Sequence, residues 1–232
     1  MKLYLLIFSI TLLTSCYSIY VPTVPNVSSF NNKYEGHVEV AVRDPDFQLT
    51  TSFSVSNHIC LQYNSQFHNN RYNELGIGIF NFYNKKTFNQ FTFGLGKGKT
   101  DYANLMNGES SVFNWAKGFY NRFYFQFYSS FNRNEKNLWG IAIRYSLTDF
   151  TITDTDSNFS SRIGKKYNVD YFEPYITYSS KIFNELAFSM FMGFLINNRD
   201  IIHSDLKVVD PQAGISLIIL INNKSNQVRS IF

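Results

Sequence analysis

The feature that most constrains this chain is a two-residue alternation of apolar and polar side chains. It is clearest where Phe47, Leu49, Thr51, Phe53 and Val55 alternate with Gln48, Thr50, Ser52 and Ser54. The same pattern recurs over 119–131 and 139–148, with noisier runs at 37–43, 58–67, 72–83, 87–96, 170–180, 186–196 and 212–221. Successive side chains of a β-strand point to opposite faces, and no segment shows a convincing helical period of 3.6. The sequence therefore predicts an all-β fold of about ten strands.

The length of these segments separates two kinds of β protein. They are close to the 9–11 residues that cross a bilayer at a tilt, whereas soluble sandwich strands are nearer five or six. Aromatic residues make up 18% of the chain and charged residues only 16%, against roughly 25% charged in an ordinary soluble domain. This composition also argues against disorder. We predict a closed, antiparallel, up-and-down transmembrane β-barrel.

The N-terminus has the pattern of an export signal. Lys2 is followed by an apolar run over 3–13 and then by Thr14, Ser15 and Cys16. The run is too short for a spanning helix, which needs roughly 20 residues. Leu13 to Cys16 resembles the bacterial lipoprotein signal, which implies cleavage before Cys16 and lipid attachment to that cysteine. The alternative is an ordinary signal peptide with an incidental cysteine.

These features predict four segments. Residues 1–15 form a signal peptide, 16–35 a lipidated tether that contains Pro22 and Pro25, 36–222 the barrel and 223–232 a polar tail. If Cys16 is acylated, Cys60 has no partner, so we expect no intrachain disulfide. Cys60 falls on the inward parity and is expected to be an inert, buried thiol.

The connections between strands give an orientation. The long ones, at 97–117, 151–168 and 197–210, are the fifth, seventh and ninth, and the candidate turns between them are short. If Cys16 holds the N-terminus at the periplasmic leaflet, every long connection faces outward, as in outer-membrane barrels. Lipid signal, tether and aromatic strands together resemble a small bacterial outer-membrane β-barrel lipoprotein. The resemblance implies a lipid-anchored protein of the outer membrane.

The same parity assigns charged side chains to the barrel interior. Glu39, Glu74, Arg122, Arg144 and Glu173 fall on the inward face. Lone charges in a closed interior are costly, so we expect a network of ion pairs among them. Filling of the barrel is the preferred interpretation, ahead of a binding or gating site, because small barrels fill their interior with side chains. A pore is the least favoured, since wide channels need about 16 strands.

Three segments resemble motifs for other functions but lack required residues. Gly94–Thr100 resembles the end of a phosphate-binding loop, yet the earlier glycine is replaced by Phe93 and no helix follows. Asp154–Asn158 begins like a calcium loop but lacks its later glycine and glutamate. His203, Ser204 and Asp205 are adjacent, so their side chains diverge in an extended chain rather than converging as a triad.

We therefore expect no enzyme activity, no metal and no other cofactor. The four histidines, His37, His58, His68 and His203, show no metal-ligand spacing. The formal net charge of +4 is too small and too scattered to suggest a nucleic-acid partner.

Three functions remain in competition at this stage. The first is a lipid-anchored outer-membrane barrel with a structural, adhesive or ligand-binding role, whose partner would bind the long loops. The second is a periplasmic lipoprotein with a soluble, lipocalin-like barrel that binds a small apolar ligand. In that case Phe123, Phe125, Phe127, Met190 and Met192 would line a cavity. The third, a hydrolase or acyltransferase at the barrel rim, lacks a convincing set of residues.

Overall fold

The computed structural model describes most of the predicted barrel. The described residues are Phe30, 33–43, 46–67, 70–83, 87–100, 105–106, 113–114, 116–134, 137–155, 163–183, 185–197 and 209–221. The predicted signal peptide, Cys16, the segment His203–Asp205 and the predicted tail at 223–232 lie outside the described residues. Within these ranges no helix is long and apolar enough to cross a membrane.

Ten strands form the barrel, and two further strands of two residues each pair with one another. The barrel strands are β1 (Gly36–Arg43), β2 (Asp46–Ser54), β3 (Ile59–Phe67), β4 (Asn70–Tyr83), β5 (Thr87–Thr100), β8 (Ala116–Asn134), β9 (Asn137–Thr155), β10 (Lys166–Phe183), β11 (Leu186–Asn197) and β12 (Val209–Ile221). The short pair is β6 (Leu105–Met106) and β7 (Phe113–Asn114), between β5 and β8.

Every barrel strand pairs antiparallel with its neighbours in sequence, and β1 pairs with β12 to close the sheet. His37 lies opposite Leu220 across this closing pair and opposite Ser52 on β2. Full closure leaves no strand edge exposed, which a barrel in lipid requires. The predicted all-β, antiparallel, up-and-down barrel of ten strands is confirmed.

The two ends of the barrel differ in their connections. At the short-turn end, β2 joins β3 through residues 55–58, where Ser56 Oγ accepts hydrogen bonds from the amides of His58 and Ile59 at 3.2 and 3.0 Å. The opposite end, called the loop end below, carries the connections 101–115, 156–165 and 198–208. All three long connections therefore lie at one end, as predicted from their being the fifth, seventh and ninth connections.

The predicted bounds of those loops were wrong. Residues 97–100, 116–117, 151–155 and 166–168 belong to strands, and so do Asn197, Val209 and Asp210. Near these ends the outward side chains are no longer consistently apolar, so the alternation that marks a strand in the sequence becomes irregular. The backbone ladder does not depend on polarity, so it continues beyond that point. As a result β8 and β9 reach 19 residues each.

The outer surface carries an apolar band with a row of polar side chains on each side. Toward the loop end, neighbouring strands place Asn73, Lys97, Asn121 and Asp149 side by side, all exposed. Toward the short-turn end, the corresponding row is Asn81, Asn89 and Ser129. Between them, β4, β5 and β8 present three rows of apolar side chains: Leu75, Leu95 and Phe123; Ile77, Phe93 and Phe125; Ile79, Phe91 and Phe127.

The height of this band fits a membrane. Asn73 and Asn81 are eight residues apart, which is about 27 Å along a strand and about 20 Å across a bilayer at a tilt near 40°. Outer-membrane barrels have an apolar band about 25 Å tall. Since β8 and β9 continue past Asn121 and Asp149, their ends project beyond the band on the loop side.

An aromatic cluster fills the barrel near its short-turn end. Phe30 is buried there although it precedes β1 in sequence, and its ring centroid is 5.5 Å from that of Phe80 and 6.2 Å from that of His37. Phe88 continues the cluster to Tyr128, with ring centroids 6.2 Å apart. Part of the predicted tether thus packs inside the barrel.

Candidate functional site: the barrel interior

Three of the predicted inward charges meet inside the barrel. Glu74 on β4 accepts hydrogen bonds from two arginines: Arg122 Nη1 lies 2.7 Å from its Oε1, and Arg144 Nη2 lies 3.4 Å from its Oε2. Asn64 Nδ2 also donates to Oε2 at 3.2 Å. All three charged side chains are at most 2% exposed. One carboxylate therefore holds two buried guanidinium groups.

Tyrosine rings surround these guanidinium groups. The carbon Cζ of Arg144 lies 4.1 Å from the centroid of the Tyr124 ring. Arg122 lies between two rings, 5.6 Å from that of Tyr72 and 5.4 Å from that of Tyr120. A cation over an aromatic face within about 6 Å is attracted by the ring quadrupole, most strongly when water is excluded. The rings thus contribute to the stabilisation of both cations.

Glycines on β5 provide the space for this cluster. Gly94 lies opposite Tyr124 in the strand register, Gly96 opposite Arg122, and Gly98 opposite Tyr120. A Cβ atom at Gly94 or Gly98 would overlap the facing tyrosine ring, and one at Gly96 would come within 2.6 Å of Glu74 Cγ. Glu74 therefore reaches Arg122 by passing over Gly96, which has no side chain to block it.

Glu173 and Glu39 are the other two predicted inward charges. Glu173 on β10 is opposite Arg144 in the register, and it accepts hydrogen bonds from Ser146 Oγ at 3.3 Å and Tyr175 OH at 3.0 Å. Glu39 on β1 accepts a short hydrogen bond from Ser216 Oγ.

His37 lies beside Glu39 inside the barrel. Its Nε2 lies 3.9 Å from Glu39 Oε2, and the whole side chain is buried. The serine contacts the carboxylate and not the imidazole, so these three residues do not form the relay in which a histidine deprotonates a serine.

The buried charged residues, the tyrosines around them and the aromatic cluster together fill the described interior. Arg144, Tyr72, Tyr124, Tyr128 and Phe80 are among its largest fully buried side chains. Chemically, the arrangement can rigidify the wall and block passage of solutes. Sequence analysis had placed the charges inside but had not identified the tyrosines or the glycines as a set. The signal was present in Gly94, Gly96 and Gly98, which share the inward parity.

The segments that resemble other motifs have simple structural roles where they are described. Gly94–Thr100 is an extended part of strand β5, so it does not form a phosphate-binding loop. Asp154, the penultimate residue of β9, has its Oδ2 4.0 Å from Lys117 Nζ at the surface, while Asp156 and Asn158 lie outside the described residues. Among the described side chains, no cluster of His, Cys, Asp and Glu could hold a metal ion. The expectation of no enzyme activity stays a prediction.

The lipocalin-like alternative required an apolar cavity. Instead Phe125, Met190 and Met192 lie on the outer surface with at least 41% exposure. The ring of Phe125 packs against that of Phe93 on the same outer face, at 5.2 Å between centroids. The prediction that these side chains line an apolar cavity is therefore wrong.

The fold and its interior define a class: a closed ten-stranded β-barrel with an apolar outer band and a filled polar interior. This is the architecture of outer-membrane barrels.

Solved barrels of that class resemble the chain at low sequence identity. The NanC porin has 6% identity and a TM-score of 0.39, with 82% of this chain and 100% of that chain covered. LpxR from Salmonella typhimurium has 8% identity, a TM-score of 0.35 and the same coverage. OmpT, an outer membrane protein of Vibrio cholerae, has 8% identity and a TM-score of 0.28, with 84% and 99% covered. No protein-family model and no curated protein matches the sequence.

Proposed function

We propose that this protein is a lipid-anchored, integral barrel of the bacterial outer membrane that does not conduct solutes. Its role is structural, adhesive or ligand-binding, it is exercised at the loop end, and it involves no catalysis. The observation that carries this proposal is an apolar outer band around an interior filled by buried charged and aromatic side chains. Interior filling of this kind gives a rigid scaffold, and loops on a rigid scaffold are where recognition usually occurs.

Strands that extend past the apolar band at the loop end support a functional role for that end. The outer faces of β8 and β9 reach polar residues at Asn121 and Asp149, and both strands continue for several residues beyond, with Phe119 exposed on β8. Inside this projecting part, Phe150 and Ile152 are buried. The projection is therefore packed, and it would hold the connections 101–115 and 156–165 clear of the lipid surface.

The first experiment asks whether the barrel is integral. Membranes are washed with alkaline carbonate, and the retained protein is run on a gel with and without boiling. A retained band that shifts on boiling is expected, because a closed barrel resists detergent unfolding. A retained band without a shift would indicate lipid anchoring alone and would refute the integral barrel.

The second experiment tests whether the filled interior blocks solutes. Purified protein in liposomes is compared with a general porin for swelling in a small sugar. We expect swelling at the rate of protein-free liposomes. Swelling comparable to that of the porin would refute the non-conducting proposal.

The third experiment tests the lipid anchor with a matched pair of cysteine variants. Cys16→Ser is expected to abolish incorporation of labelled palmitate. Cys60→Ser is the control, because Cys60 lies buried in the barrel interior, where no acyl transfer can reach it once the chain has folded. Equal labelling of both variants would contradict attachment at Cys16.

A further inference from the structure

Three cations lie together on the outer surface at the loop-side limit of the apolar band. Arg71 on β4 is opposite Lys99 on β5, and Lys97 is opposite Asn73 in the next outward row. All three cations are exposed. We call Arg71, Lys97 and Lys99 the cationic strip. Residues two apart on a strand are about 7 Å apart, so these charges can act on a single headgroup.

The described strand faces around the cationic strip are polar or apolar rather than acidic. Among the described, outward-facing residues of β3, β4, β5 and β8, none is acidic, since Glu74 points into the barrel. Asn73 contributes a polar group beside the strip. Its Oδ1 accepts hydrogen bonds from Tyr63 OH at 2.6 Å and Ser65 Oγ at 3.0 Å, which leaves its amide nitrogen as a donor.

The surface directly below the strip is apolar and unusually exposed. Leu75 and Leu95 form the next outward row and are 67% and 66% exposed, and Ile77 and Phe93 form the row after it. Going from the loop end into the band, the same two strands therefore present cations first and then a smooth apolar face. That order matches an anionic lipid, with its headgroup at the membrane surface and its acyl chains in the band.

We propose that the outer face of β4 and β5 binds a lipid of the outer leaflet whose headgroup carries more than one phosphate. The phosphates contact Arg71, Lys97 and Lys99, and the acyl chains lie along Leu75 and Leu95. Cations near a membrane surface attract anionic lipid headgroups, each with a modest contribution that adds to the others. The inference rests on the proposed function, because the loop end must face the outer leaflet.

The test measures lipid binding to the full-length protein in zwitterionic detergent by native mass spectrometry. The probe is diphosphoryl lipid A, and the variant is Lys97→Gln/Lys99→Gln. The matched control is Lys165→Gln/Lys166→Gln, which removes two exposed cations at the same end of the barrel near β10. We expect affinity to fall roughly 10- to 30-fold in the strip variant and to change less than about threefold in the control. Equal losses in both variants, or no loss in either, would overturn the proposal.

Two further probes identify the source of the phosphate. Phosphatidylglycerol, with one phosphate, should bind clearly more weakly than diphosphoryl lipid A, and equal binding would refute a requirement for several phosphates. Inorganic pyrophosphate should compete poorly because it lacks acyl chains, and strong competition would indicate a site for free phosphate instead.

Each variant must retain its heat-dependent gel shift. If the wild type shows no shift, the proposed function fails; a shift without lipid preference refutes this inference alone.

Discussion

Replacing Glu74 by Gln tests the contribution of the carboxylate that contacts both buried arginines. The substitution keeps the shape of the side chain and an acceptor oxygen, but it removes the negative charge that faces Arg122 at 2.7 Å and Arg144 at 3.4 Å. Removing one partner of a buried ion pair costs about 3–5 kcal/mol. Since Gln still accepts a hydrogen bond, we expect the lower end of that range, about 3 kcal/mol.

The measurement is the urea-unfolding midpoint of the barrel in detergent, followed by the gel shift. With a slope of about 2 kcal/mol per molar urea, a loss of about 3 kcal/mol lowers the midpoint by about 1.5 M. The double variant Glu74→Gln/Arg122→Gln also removes the cation that lies nearer to this carboxylate, at 2.7 Å. It should recover a large part of the loss, with a coupling free energy above about 1.5 kcal/mol. Additive effects, within about 0.5 kcal/mol, would refute the view that these charges stabilise one another across Gly96.

Three more perturbations test other parts of the structure. Phe125→Arg, in the middle row of the apolar band, should destabilise the membrane-inserted barrel by about 2–4 kcal/mol, whereas Asn121→Arg at the polar limit should cost at most about 1 kcal/mol; equal costs would contradict the assigned band. Gly94→Ala should destabilise by about 1–3 kcal/mol through overlap with the Tyr124 ring, and adding Tyr124→Leu should relieve it; a Gly94→Ala barrel with wild-type stability would argue against this close packing. Phe30→Ala should lower the unfolding free energy by about 3 kcal/mol, as expected for a buried Phe; an unchanged urea midpoint would show that the segment before β1 does not pack into the barrel.

The fold was largely predictable from sequence because lipid and barrel interior impose opposite demands on alternate residues. Phe47 and Gln48 cannot exchange faces without placing an amide in lipid and a ring among buried polar groups. That constraint predicted about ten antiparallel strands and the face to which each side chain points. It also explains the wrong loop bounds: past Asn121 and Asp149 the outward side chains are no longer uniformly apolar, and the strands continue without a regular alternation to mark them.

The interior was predictable only in part, because parity shows which way a residue points and not what it meets. Arg122 and Arg144 could be assigned inward, but the residue that joins them, Glu74, lies on β4, with β5 between it and β8. Two side chains can meet across an intervening strand only where that strand has no side chain between them. Gly94, Gly96 and Gly98 leave room for Tyr124, Glu74 and Tyr120 respectively, so the wall of β5 is flat where its neighbours are bulky. A side chain at any of these glycines would remain compatible with the alternation, yet it would overlap the cluster that fills the barrel. The filled interior is therefore specified jointly by the glycines of one strand and by the large side chains of the strands beside it.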